Sequence, residues 1–496
     1  MDAVEDVGRF GAVVLIVSAA VVLALLANRL STRIRVPAPA LFLVAAAVAS
    51  DIWPTLGSVP LQTDERIVTV ALVVFLFDGG LSIGWRRMRT VVGPVLWVGV
   101  AGTLVTAAGL AIAAHWLFGL DWRLALLLGT ALAPTDPAVV FSVLGGREIA
   151  GRSGTILEGE SGANDPVGIA LLIAVLGAGG ASLGDVLGGV GEFALQMAVG
   201  LVVGVGGGLG LAWVSRHVTL PNEALYPLRT LVGATAVYGL ATVAHGSGFL
   251  AVFVAGILLA DPPAPYKPEV ERFTSALGTL AEIIAFTVLG LTVRLRDVLT
   301  SDVLWIGLGL GALLILVVRP VLVGAVLLPV RLRRNERAFV LWAGLKGAVP
   351  IVLGLFVVSS GTEGAARLYG IVFVVVLLSV IVQGGTVPAA TSLLRIPTRE
   401  EPPQPWAIGL RLRHAPDGLR RYTVAGGAPA DGAAVAALCA GDASGWISMV
   451  SREGALVPLH DDTVLRAGDE VLAQVGDDDR WDAVFESGSA DVEDEQ

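Results

Sequence analysis

Long apolar runs recur along almost the whole of this chain, and they restrict its fold more than any other feature. A run of about 18 or more apolar residues is long enough to cross a bilayer as a helix. Such runs lie at 10–29, 37–53, 66–84, 92–118, 123–145, 154–177, 187–215, 228–245, 248–260, 276–293, 302–328, 337–358 and 367–394, which predicts about 13 transmembrane helices. The run at 248–260 is short, and 228–260 reads either as a hairpin or as one long kinked helix. Composition agrees: of 496 residues, 55% are hydrophobic and 15% are charged, against roughly 25% charged in a soluble domain. The first run follows Asp2, Glu5 and Asp6, and no small-residue cleavage site precedes a soluble domain, so it reads as a retained span and not as a signal peptide.

The loops supply an orientation. Cytoplasmic loops carry the Lys and Arg excess. Alternate loops hold Arg29, Arg33 and Arg35; Arg86, Arg87 and Arg89; Arg147 and Arg152; Arg216; Lys267 and Arg272; and Arg331, Arg333, Arg334 and Arg337, while the opposite set is sparser. That alternation predicts a multi-pass protein of the cytoplasmic membrane with its N-terminus outside and its C-terminus inside.

Composition changes near Thr398. Residues 1–397 form the transmembrane part, and 398–405, rich in Glu and Pro, read as a linker. Residues 406–486 read as a small cytosolic α+β domain: a strand from Trp446 to Val450, a turn at Arg452-Glu453-Gly454, strand–turn–strand over 464–475 and a short helix over 435–440. Residues 487–496 form an acidic tail, read as disordered. Much of the net charge of −10 sits beyond Thr398, so the total says little about partners. The single Cys439 rules out a disulfide scaffold and gives no metal-ligand spacing.

Ionisable residues interrupt the apolar runs. A charge at the bilayer centre costs about 2.5–3.5 kcal/mol on insertion scales, yet Asp78, Asp136, Glu158, Glu160, Asp165, Glu282, Arg319 and Lys346 fall inside or close to predicted spans. Helix-end positions or structural pairing account equally well for Arg319, beside Pro320, and for Glu282, near the start of its span. They account poorly for Asp165. On the helix over 154–177, Glu158, Ser161 and Asp165 share one face, and Glu160 and Asn164 are i, i+4 neighbours on the adjacent face. Oxygen donors without His or Cys suit a hard alkali cation better than a transition metal.

Two spans carry breaks. In Ala133-Pro134-Thr135-Asp136-Pro137 the prolines remove backbone donors and disfavour helix before them. Unwound backbone at membrane depth is tolerated where it is buried or lines a cavity, and it frees carbonyls for a cation. Asp136 also fits an N-cap of the second half-helix. Gly344-Leu345-Lys346-Gly347-Ala348-Val349-Pro350 breaks the span over 337–358. There Lys346 is expected to compensate a half-helix end and to pair with a carboxylate such as Glu160. Broken helices in both halves point to an inverted-repeat transporter.

These motifs, in this order and spacing, resemble the cation:proton antiporter superfamily, specifically its electroneutral sodium/proton and potassium/proton exchangers. The resemblance spans about residues 10–394 and implies an all-α polytopic fold with inverted repeats and two discontinuous crossing helices. It further implies that Asp165 binds cation and proton in turn, and that Ser161, Asp136 and the Thr135 carbonyl help hold the ion. The Asn164-Asp165 pair implies electroneutral exchange. The residue at Lys346 is most often Arg in the family and pairs with the carboxylate at Glu160; the lysine lacks the bidentate fork. Phe77-Asp78-Gly79-Gly80 and Glu160-Ser161-Gly162-Ala163-Asn164-Asp165-Pro166 are similar to the potassium/proton branch and add Asp78 to the ion-binding set. Residues 406–486 resemble the C-terminal subdomain of regulators of potassium conductance (TrkA C-terminal-like), with a generic dimerisation domain as the alternative. That likeness permits a regulatory nucleotide at the tail. No Gly-x-Gly-x-x-Gly opens the tail, and no other cofactor is implied. A homodimer is the family expectation; the bilayer, protons and K+ or Na+ are the partners, and nucleic acid is not.

The expected function is therefore secondary antiport, not enzymatic catalysis. Buried Asp165 is unfavourable as a bare anion and is neutralised by either a proton or a cation, so exchange becomes obligatory. K+ is favoured over Na+ or Li+. A cation channel with a cytosolic regulatory domain is the rival reading, although no Thr-Val-Gly-Tyr-Gly filter appears. A primary pump is disfavoured by the lack of a phosphate-binding loop.

Overall fold

The structure, a computed structural model, describes residues 37–53, 60–136, 138–144, 147–149, 151–177, 183–262, 264–400, 419–439, 445–452, 455–475 and 480–485. The expected span over 10–29, Pro137, most of the linker, the Glu453-Gly454 turn and the acidic tail lie outside the described residues. The chain divides into two compact units, Met1–Glu401 and Pro402–Gln496.

In the first unit the described apolar runs are helices: α1 Ala38–Ile52, α2 Leu61–Met88, α3 Val92–Phe118, α4 Trp122–Ala131, α5 Ala138–Val143, α6 Arg152–Gly177, α7 Leu183–His217, α8 Leu225–Val243, α9 Gly248–Ala260 and α10 Lys267–Leu291. They continue as α11 Leu295–Thr300, α12 Val303–Val326, α13 Arg334–Trp342, α14 Ala348–Ser359 and α15 Ala365–Leu393. Among the described residues, six helices are long and apolar enough to cross a membrane by length and composition. The chain is an all-α polytopic membrane protein with a small C-terminal α+β region. Residues 228–260 form two helices, because the chain turns at His245, whose φ is 58°.

Packing follows from small residues. With lipid as apolar as leucine, helices associate by close backbone approach. Helix α9 lies across α2 at Gly80 and Gly256, where a Cβ on Gly256 would stand 2.6 Å from the Phe77 carbonyl. Helix α10 packs on α1 and α2, and α12 on α15. The half-helix α14 is apolar on every side, and Ile351, Val352, Leu353 and Leu355 are all fully buried, as expected of a helix at the centre of a bundle. Large apolar side chains such as Val202, Trp305, Leu316 and Val243 are exposed on the outside, the face that lipid covers.

Two stretches depart from the sequence expectation. Thr398–Glu400 is not free linker: it forms strand β2, paired antiparallel with β1, Arg147–Ile149. Extended polar backbone leaving α15 there satisfies its hydrogen bonds on another loop of the same unit. In the second unit β3 Leu419–Thr423, β4 Trp446–Arg452, β5 Ala455–Val457 and β6 Glu470–Gln474 form an antiparallel sheet in the order β3-β6-β4-β5. The expected first strand over 464–475 is only an isolated bridge, Ala434 to Val464, before the turn that feeds β6. A short helix spans Val435–Cys439, and Ile447, Val450, Leu465, Val471, Trp481 and Phe485 fill the core.

Candidate ion-binding site

Both predicted breaks are present. Helix α4 ends at Ala131, residues 132–136 are non-helical, and α5 begins at Ala138. Helix α13 ends at Trp342, and α14 starts only at Ala348. The two breaks touch: the Asp136 amide donates to the Leu345 carbonyl at 2.9 Å. Gly347 permits this contact, since a Cβ there would overlap the Asp136 carboxylate.

Helix α6 seals the first break from one side. Ser161 Oγ donates to the Thr135 carbonyl at 2.7 Å. Asn164 Nδ2 donates to Thr135 Oγ1 at 2.7 Å, and its Oδ1 accepts from the Thr135 amide at 3.3 Å. Asn164 thus replaces helical hydrogen bonds that the break removes. With its proton committed to Thr135, the Ser161 hydroxyl keeps its lone pairs for another ligand.

Asp165 lies one residue beyond. It is 1% exposed, and neither carboxylate oxygen has a hydrogen-bond partner. Its charged neighbours are Asp136, itself buried, and Lys346. A buried carboxylate without donors is costly, a cost that a proton or a cation would relieve. Asp165, Asp136, Ser161 Oγ and the Thr135 carbonyl are oxygen donors, the chemistry that suits an alkali ion.

The expected pairing of Lys346 with Glu160 is corrected by the structure. Lys346 Nζ donates to the carbonyls of Ala133 and Pro134 at 2.7 and 2.9 Å. It therefore compensates the unsatisfied C-terminal end of α4. Glu160 pairs instead with Arg319, Nη2 to Oε1 at 3.0 Å, and both side chains are buried. Arg319 also donates to the carbonyls of Leu341 and Val340, at the end of α13. Arginine takes this position because its planar fork reaches three acceptors at once, while the compact ammonium suits two convergent carbonyls. Arg319 sits in a π-helical stretch, Leu314–Val323, that contains Pro320.

The remaining expected residues are more dispersed. Glu158 lies 3.5 Å from Arg87. Asp78 packs against Gly278 of α10 and makes no hydrogen bond to Thr135, Ser161, Asn164 or Asp165. Glu282 of α10 interacts electrostatically with Asp136, and its Oε1 is buried without a hydrogen-bond partner. Two further residues had not been singled out from the sequence. Ser379 Oγ accepts from the Lys346 amide at 2.9 Å and donates to Gln383 Oε1 at 2.6 Å. Gln383 Nε2 then donates to the Trp342 carbonyl at 2.8 Å. Their signal was a buried polar pair at i, i+4 in the apolar run of α15.

The transmembrane sodium/hydrogen exchanger family matches residues 16–392. A protein named K(+)/H(+) antiporter NhaP2, from Shewanella sp. strain MR-4, is 33% identical over 390 residues, covering 77% of this chain and 66% of the relative. This chain thus spans just under two thirds of that relative's length. The Na(+)/H(+) antiporter ApNhaP of Aphanothece halophytica is 26% identical over 337 residues, covering 65% of this chain and 63% of the relative. The solved structure of the sodium proton antiporter MjNhaP1 from Methanocaldococcus jannaschii at pH 8 shares the fold, with a TM-score of 0.63 at 22% identity over 74% of this chain and 97% of that one. Matched over three quarters of its length and carrying the two touching breaks in that region, the chain belongs to the sodium/hydrogen exchanger family.

Proposed function

We propose that this protein is a secondary antiporter that exchanges one monovalent cation for one proton across the cytoplasmic membrane, and that Asp165 is the shared site. One observation carries the reading: a fully buried carboxylate with no hydrogen-bond partner lies where two broken helices meet.

Charge counting supports a one-for-one exchange. The buried Glu160–Arg319 pair cancels. Asp136, Asp165 and Lys346, counted as charged, together leave one negative charge. One proton or one alkali ion neutralises that site, and both together overfill it. The loaded site is neutral and can be re-exposed to the other side; the empty site is charged and is held in place by the desolvation cost. Asn164, neutral and occupied with Thr135, adds no charge to the cycle.

K+ is the favoured cargo, with Na+ as the alternative. The relatives at 32–33% identity bear K(+)/H(+) antiporter names, and the Na(+)/H(+) antiporter is at 26%. The reading extends to about 13 spans in inverted repeats, Asp78 and Glu282 flanking the ion path, an outside N-terminus, and a homodimer. In it the transmembrane part ends near residue 397, and the unit beyond Pro402 is a cytosolic regulatory domain like the C-terminal subdomain of potassium-conductance regulators. Proton movement in everted vesicles, driven by each alkali chloride in turn, tests the cargo. A response to K+ above Na+ and Li+ supports it, and a response to Na+ alone replaces it. An imposed membrane potential should leave the rate unchanged; a current without proton coupling would mark a channel.

A further inference from the structure

A cavity at the arginine-rich end of the transmembrane unit has none of the candidate ion-site residues among its described lining residues. Its volume is about 560 Å3, and Arg152, Arg331, Leu332, Arg333, Glu336 and Pro397 line it. Three arginines from two separate segments line it. Arg152 is the first residue of α6, the helix that carries Glu160, Ser161, Asn164 and Asp165. Arg331 and Arg333 directly precede α13. Pro397 leads into β2, whose partner β1 precedes α6.

The orientation rule explains why arginines collect at this end. It does not explain why, among the described residues, these three make no ion pair. Neighbouring arginines are engaged: Arg87 faces Glu158, Arg337 donates to the Leu328 and Val330 carbonyls, and Arg216 donates to the Ala212 carbonyl. Among the described residues, Arg152, Arg331 and Arg333 have no carboxylate at ion-pair distance. Among the described lining residues Glu336 is the one acidic group, and its Oε2 accepts from the Arg333 amide at 2.8 Å. The described lining residues carry a surplus of two positive charges, with two helix starts beside them that add positive potential.

We propose that this cavity binds a phosphate-bearing anion, either an anionic lipid headgroup or a soluble phosphate. Arginine suits the bidentate recognition of a phosphate, and basic pockets at the cytoplasmic ends of transmembrane helices are the pattern for headgroup binding. The position makes it regulatory. The far end of α13 is already tied to α6 through Arg319, which holds the Val340 and Leu341 carbonyls and Glu160 together. A bound phosphate would tie the same two helices at their starts, and so restrain the break that follows α13. That consequence rests on the proposed exchange site; the binding itself does not.

The test titrates the purified full-length protein in neutral detergent with inorganic phosphate, and separately with short-chain phosphatidylglycerol, reading the thermal shift. Saturable stabilisation by at least one probe is expected. Arg331→Gln and Arg333→Gln should each weaken it at least five-fold, and Arg272→Gln, an exposed arginine on α10, should leave it unchanged. Saturation with phosphate alone assigns a soluble ligand; saturation only with phosphatidylglycerol assigns the headgroup. The proposal is overturned if neither probe saturates, if the pocket variants bind like the unmodified protein, or if Arg272→Gln weakens binding as much as they do. Because the readout is binding, its failure is separate from a failure of cation/proton exchange.

Discussion

Arg319 and Glu160, 159 residues apart in the chain, form a buried ion pair at 3.0 Å. The same guanidinium holds the last carbonyls of α13, so one side chain fastens the second break to the helix of the ion site. Removing one partner strands the other in a dry interior. Arg319→Met is expected to cost about 3–5 kcal/mol of stability, seen as a lower melting temperature of the detergent-purified protein. Glu160→Gln combined with Arg319→Met should recover part of that loss. Equal melting of Arg319→Met and the unmodified protein would count against the clamp.

Gly347 touches the Asp136 carboxylate, and a methyl group there would displace it. Gly347→Ala should therefore abolish cation-dependent proton movement while the protein still reaches the membrane. Measuring transport and membrane abundance in the same vesicles separates the two effects.

Ser379 and Gln383 support the break from the opposite side. Gln383→Leu leaves Ser379 Oγ and the Trp342 carbonyl without their partner, a loss of about 1–3 kcal/mol for a buried polar group. A thermal melt reads it, and transport at fixed cation should fall with it. Ser379→Ala, which strands the Lys346 amide, should do at least as much.

In the second unit Arg452 grips Asp469 with two hydrogen bonds, at 2.8 and 2.7 Å, and the Arg466 amide adds a third. These contacts hold the Asp469 carboxyl below the usual carboxylate range. A depressed folded-state pKa contributes stability above the unfolded value of about 3.9, lost as pH falls through the lower folded value. Hydrogen exchange of the β6 amides in the full-length protein, taken relative to the intrinsic rate at each pH, should accordingly quicken below about pH 4. Asp469→Asn should quicken it already at neutral pH and flatten that dependence.

Much of the site was legible because prolines and glycines act locally. Pro134 and the Gly344–Gly347 segment predict interrupted helices from backbone chemistry alone, and i, i+4 geometry places Glu160 beside Asn164 without any tertiary information. The pairing of charges was not legible. Whether Glu160 meets Lys346 or Arg319 depends on how three helices converge, and charge balance is satisfied either way. Nor could the return of Thr398–Glu400 onto Arg147–Ile149 be read, since short polar strands carry little periodicity. In the second unit alternation marked β4 and β6, but it overextended the strand before Gly468, where backbone turns compete with pairing.

The central claim is that Asp165 holds the proton and the cation in turn. It is tested most directly by comparing the unmodified protein with Asp165→Asn in everted vesicles, following cation-driven proton movement with a pH-sensitive dye at matched membrane abundance. The account predicts that the asparagine variant is indistinguishable from vesicles lacking the transporter at every cation concentration and pH. Cation-driven proton movement retained by Asp165→Asn would contradict it.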